Sequence, residues 1–194
     1  MILPKDIITD ENLDIRKKCV PVELPMSDED KETLLEMFEY LVMGYDPELV
    51  KKYNIKPGVG IAAPQIDVLK QMFAILAYDE EGREHAYLVV NPKIVSESVR
   101  LTYLENGEGC LSVDRTVKGL IHRPASIKVK CHLLDYETGE LNLDQELNLK
   151  GYIAIVFQHE YDHLSGILFY DHINKLNPFF VPENSRPVRF KQND

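Results

Sequence analysis

The chain has 194 residues, 44% of them hydrophobic and 28% charged, enough apolar side chain for a sizeable core and unlike a disordered segment. Its 32 acidic and 22 basic side chains give a net charge of −10, which argues against a specific nucleic-acid-binding surface. No apolar run approaches the ~18 residues of a membrane span, and MILPKDIITDENLD lacks the basic and apolar parts of a secretory signal. The cysteines, Cys19, Cys110 and Cys131, are too few and too widely spaced for a disulfide framework, so a cytoplasmic chain with reduced thiols is expected.

Residues 1–26 read as irregular, broken by Pro4, Pro21 and Pro25. Ser27 is placed to cap a helix whose first turn carries Asp28, Glu29 and Asp30, and the apolar spacing from Leu34 to Val42 predicts that helix over about 28–43. Pro47 opens a short second helix through PELVKKY. KPGVGIAAPQ, rich in Gly, Pro and Ala, suits neither a regular strand nor a helix. MFAILAY (72–78) and AYLVVNPKIV (86–95) read as strands, and RLTYLENGEGCLSV (100–113) as a strand entering a Gly-rich loop. Residues 125–136 and 140–151 alternate on either side of Thr138-Gly139, a hairpin pattern. YIAIVFQHEYDHLSG (152–166) is long enough, and periodic enough, for a buried helix ending near Gly166, and PVRF is a candidate last strand. The whole reads as one α+β domain: antiparallel sheets packed around a central helix, with a helical segment over 1–56, a core over 57–176 and an irregular tail over 177–194.

His159, Glu160 and His163 spell H-E-x-x-H. On a helix the two imidazoles share a face one turn apart, where they can bind one divalent cation, with Glu160 within reach of a coordinated water as general base. The third ligand decides the chemistry. Position 169, where a metzincin needs His, is Phe169; Glu183 sits in the Pro-bounded FVPENSRP; and His172 follows the helix too closely. Cys110, in GEGCLS, remains: a thiolate in a Gly-flanked loop can approach the metal and leave a fourth position open. Cys19 and Cys131 read as small buried hydrophobes.

Taken together, GVGIAAPQ (58–65), EGCLS (108–112) and QHEYDH (158–163) resemble the peptide deformylase signatures in order and spacing. The segment before GVGIAAPQ and the insertion VDRTVKGLIHR resemble the type 2 form of Gram-positive bacteria. The resemblance implies a hydrolase that removes the formyl group from N-formylmethionine of nascent peptides and releases formate. It implies Cys110, His159 and His163 as ligands, Glu160 as base, and the Gln65 side-chain amide with the Leu111 backbone N–H around the formyl oxygen. Fe²⁺ is the implied native metal, with Zn²⁺, Ni²⁺ or Co²⁺ able to replace it. A different metal amidase, or a domain merely stabilised by metal, remains an alternative.

Further expectations attach to the substrate. Val59, Gly60 and Gly109 are candidates for pairing with an extended peptide, and Tyr152, Ile155 and Val156 for lining the methionine slot. Arg123 needs a carboxylate, and Glu108 and Asp162 stand in the motifs, so an ion pair joining the Cys loop to the metal helix is expected. A substrate growing on the ribosome suggests a transient ribosome contact, for which SRPVRFKQ (185–192), with Arg186, Arg189, Lys191 and no acid, is the densest basic stretch.

Overall fold

The first regular element is set by its caps. Ser27 Oγ accepts from Asp30 N at 3.1 Å, and α1 (Asp28–Met43) runs from there to Gly44. Asp46 caps α2 (Pro47–Tyr53) in the same way, through Glu48 N and Leu49 N. The computed structural model describes residues 1–191. Before α1 the chain forms two short 3₁₀ turns, Pro4–Asp6 and Leu13–Arg16, and one isolated parallel bridge from Val20 to Lys70.

Five strands form the main sheet: β1 (Gly60–Ala62), β2 (Met72–Tyr78), β3 (Glu84–Glu97), β6 (Ser126–Leu134) and β7 (Leu141–Lys150). Their order is β1-β2-β3-β6-β7 and every neighbouring pair is antiparallel. The unbroken apolar run of β2 has a direct cause: both faces of that strand are covered. Met72, Ala74 and Leu76 join Leu34, Met37 and Leu41 of α1, while Phe73, Ile75 and Ala77 join the layer of α3 (Gly151–His163). Phe73 meets Phe157 of α3 edge-on, with ring centroids 5.0 Å apart. Burying one such aromatic contributes about 1.5–3 kcal/mol.

KPGVGIAAPQ does contain a strand. Gly60–Ala62 pairs with Phe73–Ile75, and Ala63–Ile66 then closes a 3₁₀ turn. Tertiary pairing overrides the low intrinsic strand preference of Gly and Ala.

Helix α3 begins at Gly151, whose φ of 59° lies in the left-handed region that favours glycine. Its first turn is satisfied from outside, because Glu80 Oε1 accepts from Tyr152 N at 2.9 Å. The helix ends at His163 rather than at Gly166; Leu164 N and Gly166 N bond instead to Tyr161 O and His163 O, three residues back, a tightened last turn.

The remaining strands, β4 (Leu101–Tyr103), β5 (Arg123–Pro124) and β8 (Ser185–Pro187), make a second sheet of order β5-β4-β8. Here β4–β5 is antiparallel but β4–β8 is parallel. The last strand is therefore SRP, one step before the core of PVRF, and the tail is docked. Thr102 Oγ1 donates to Arg186 O at 2.9 Å, Val188 N to Tyr103 O at 2.9 Å, and His122 Nδ1 lies 2.7 Å from Ser185 Oγ. Gln192 of the basic stretch lies outside the described residues. Ending the chain at Asn184 removes these bonds and should destabilise the protein by about 1–3 kcal/mol. Thermal melts of full-length and truncated protein check this: a drop of several degrees is expected, and a drop under about 1 °C would make the tail dispensable to the fold.

Candidate metal centre and active site

Helix α3 turns its H-E-x-x-H face inward, and β4 leads into a loop that brings Cys110 against it. His159 is 9% exposed, Glu160 4% and His163 1%. The candidate ligand atoms of Cys110, His159 and His163 all lie within 4.8 Å of one another, with Cys110 Sγ 3.4 Å from His163 Nε2. Phe169 stacks on the His159 ring at 5.9 Å and 18°.

A buried ion network holds the two halves of this centre. Arg123 Nε donates to Glu108 Oε1 at 2.7 Å and its Nη2 to Glu108 Oε2 at 3.0 Å, while Nη1 donates to Asp162 Oδ2 at 2.8 Å. Glu108 Oε2 also lies 2.8 Å from His159 Nδ1. Burial opposes ionisation of Glu108, but the Arg123 charge and the His159 bond outweigh it and hold the pKa at about 2. The carboxylate is thus an acceptor, His159 Nδ1 carries the proton, and Nε2 is left for the Cys110 side. Burial likewise opposes the His159 charge, yet the bonds to Cys110 and Glu108 lift its pKa well above the ordinary value, so a cation bound at Nε2 would displace the proton held there. His163 goes the other way, lowered by burial and by the His159 charge.

Glu160 is the other buried carboxylate, and burial pushes its pKa up to about 7. Its Oε2 has no hydrogen-bond partner among the described residues, and neither has His163 Nδ1. A buried carboxylate oxygen left unpaired is costly, and an ion with its water beside Glu160 would satisfy it. One thiolate and two imidazoles are a donor set that suits a transition-metal dication. The residues present therefore fit a metal. Gly60 fits the same centre, since a Cβ there would run into the Glu160 carboxyl group.

Gln65, 1% exposed, is fixed at both ends: Oε1 accepts from Ala62 N at 2.8 Å, and Nε2 donates to Ser112 Oγ at 3.0 Å and faces Cys110 Sγ at 3.4 Å. A cavity of about 350 Å³ opens onto these groups. Val59, Gly60 and Gly109 lie along it, and a Cβ on Gly109 would meet open space. The Val59 carbonyl is taken by Leu76 N at 2.9 Å. Tyr152, Ile155 and Val156 form one wall, and Leu111 with Gln65 the metal end. Arg123, Asp162 and His163 do not line the cavity. Cys19 and Cys131 are buried elsewhere, and burial pushes both thiols up to about 11.

Residues 4–179 match the family model of polypeptide deformylase. The chain belongs to the polypeptide deformylase family. A peptide deformylase 2 of Bacillus cereus is 47% identical over 188 residues, covering 97% of this chain and 99% of that one. Another, from Geobacillus stearothermophilus, is 50% identical with the same coverage. The crystal structure of the Thermotoga maritima peptide deformylase superimposes with a TM-score of 0.62 at 33% identity, covering 87% of this chain and 96% of that one. Deformylases are metal-dependent hydrolases that remove an N-terminal formyl group, and this chain is one of them.

Several side chains of this deformylase site were not singled out by the sequence. Ser112 stands inside EGCLS, and the need to orient Gln65 is a signal that could have found it. Lys56, which reaches the Cys110 loop, carries no such signal; His172, set aside as a ligand, lies 2.7 Å from Asp162 Oδ2 instead.

Removing the Arg123 charge should leave Glu108 buried with only its His159 bond, at a cost of about 3–5 kcal/mol near neutral pH. The folded pKa of Glu108 lies below its ordinary value of 4.5, so its stabilisation is present above about 4.5 and is lost as pH falls towards 2. The stability gap between wild type and Arg123→Met should therefore shrink as pH falls from 7 to 3. Urea titrations across that range check it, and a gap independent of pH would contradict the assignment.

Proposed function

We propose that the cavity cleaves the formyl amide of N-formylmethionyl nascent peptides, releasing formate, with one divalent ion on Cys110, His159 and His163 and with Glu160 as general base. The observation that carries this reading is the convergence of those ligand atoms beside the unpartnered Glu160 carboxylate. A closed structural site would need a fourth protein ligand, and this group offers three.

An ion there supplies a lowered water pKa and polarises the formyl oxygen. Fe²⁺ is the native ion in this reading, with Zn²⁺, Ni²⁺ and Co²⁺ tolerated by the same mixed donor set. Glu160, with its pKa near 7, takes the proton of the attacking water and returns it to the departing amine. Gln65 Nε2 and the Leu111 N–H donate to the developing oxyanion, each worth about 3 kcal/mol. Arg123 and Glu108 act through His159, fixing its tautomer, and Asp162 anchors Arg123 to the helix. The methionine side chain lies against Tyr152, Ile155 and Val156, while the peptide backbone runs along Val59, Gly60 and Gly109.

Glu160→Gln leaves the ligands untouched. It should keep bound metal while formate release from formyl-Met peptides falls by about 10³-fold or more. Activity within about tenfold of wild type would remove Glu160 from the role.

The reading places the enzyme in the cytoplasm, beside emerging nascent chains, and no described helix is long and apolar enough to cross a membrane. Arg186 and Lys191 are exposed on the docked tail and are candidates for a transient ribosome contact. Because the tail includes β8, charge substitution tests this better than deletion. Arg186→Ser with Lys191→Ser should weaken co-sedimentation with ribosomes at low salt and spare turnover of short peptides. Unchanged co-sedimentation would put the contact elsewhere.

A further inference from the structure

The proposed oxyanion donor at Leu111 is a backbone N–H in a loop, and loops do not hold such groups still without help. Residues 110–113 form a single turn, closed by Val113 N on Cys110 O at 3.3 Å. Each of its carbonyls finds a donor. Lys56 Nζ donates to Cys110 O at 3.0 Å, to Val113 O at 3.1 Å and to Leu111 O at 3.3 Å, and it also meets Asp114 Oδ1 at 3.2 Å. Ser112 O accepts from Asp10 N at 2.9 Å. Lys56 is itself anchored to the core, because Tyr40 of α1, fully buried, donates its hydroxyl to Lys56 O at 3.2 Å.

The Cys110 carbonyl and the Leu111 N–H belong to one planar trans peptide unit, so they point in opposite directions. A cation fixed on the carbonyl side therefore sets the direction of the N–H on the other. The same cation draws electron density from that carbonyl, which strengthens the N–H as a donor. We infer that Lys56 is a positioning residue for deformylation: by clamping the carbonyls of the Cys110 turn it aims the Leu111 N–H at the formyl oxyanion. The inference rests on the reading of Leu111 as an oxyanion donor given above. Lys56 touches no reacting atom, and its side chain is 44% exposed, which makes its replacement compatible with folding.

A clamp of this kind acts in the transition state and leaves ground-state binding alone. Steady-state kinetics on a short formyl-Met peptide, expressed per bound metal, separate it from a simple brace for the Cys110 ligand. Lys56→Met should lower kcat by about 10- to 100-fold with KM within about twofold of wild type, and Lys56→Arg, which keeps cationic donors, should recover most of kcat. If Lys56→Met melts below the assay temperature, Lys56→Gln is measured in its place, with the same expectation. A kcat per bound metal equal to wild type would overturn the inference, since Lys56 would then only help retain the metal. A raised KM at unchanged kcat would overturn it too, placing Lys56 on the peptide instead. Failure of the wild-type protein to release formate would sink the parent reading, an outcome distinct from either.

Discussion

Glu108 can be ionised in the interior only because Arg123 meets it with two nitrogens and His159 with a third. That buried pairing is the constraint on which the centre depends. It joins the loop that carries Cys110 to the helix that carries both histidines, and Asp162 extends it along the same helix. It also decides which ring nitrogen of His159 bears the proton, and hence which one is free to bind a metal. A buried ion triad is a poor source of net stability compared with apolar packing. Its presence here makes sense as a device for fixing the geometry of reactive groups.

The fold supplies what that network cannot. Strand β2, buried on both faces, holds α1 on one side and α3 on the other. Gly60 of β1 lies against Glu160 of α3, so an edge strand of the main sheet and the central helix meet at the candidate base. The second sheet adds the tail: Phe190 packs edge-on against Tyr152, at 5.1 Å, behind the wall of the cavity. The C-terminal segment is thus structurally continuous with the site.

Much of this was legible in the sequence, and the reasons for the rest are physical. Helix α1 runs over the span its Ser27 cap and apolar spacing predict, and β2 over the span of MFAILAY. The His159–His163 spacing and the Gly-flanked Cys110 were visible because ligand chemistry restricts residue type and position together. Strand β1 was not, since Gly and Ala carry no strand signal and its pairing with β2 is long-range. Lys56 was hidden for a related reason: an exposed lysine before PGVG looks like any other until the turn it clamps is seen. The parallel pairing of β8 with β4 joins residues far apart in the chain, so periodicity could place a strand near PVRF but not its register.

The central claim is a mixed donor set of one cysteine and two histidines around a single divalent ion. X-ray absorption spectroscopy on protein loaded with Zn²⁺ tests it most directly. The account predicts one sulfur at about 2.3 Å and two imidazole nitrogens at about 2.0–2.1 Å, with one further light atom. A first shell without sulfur, or with two sulfurs, would contradict it.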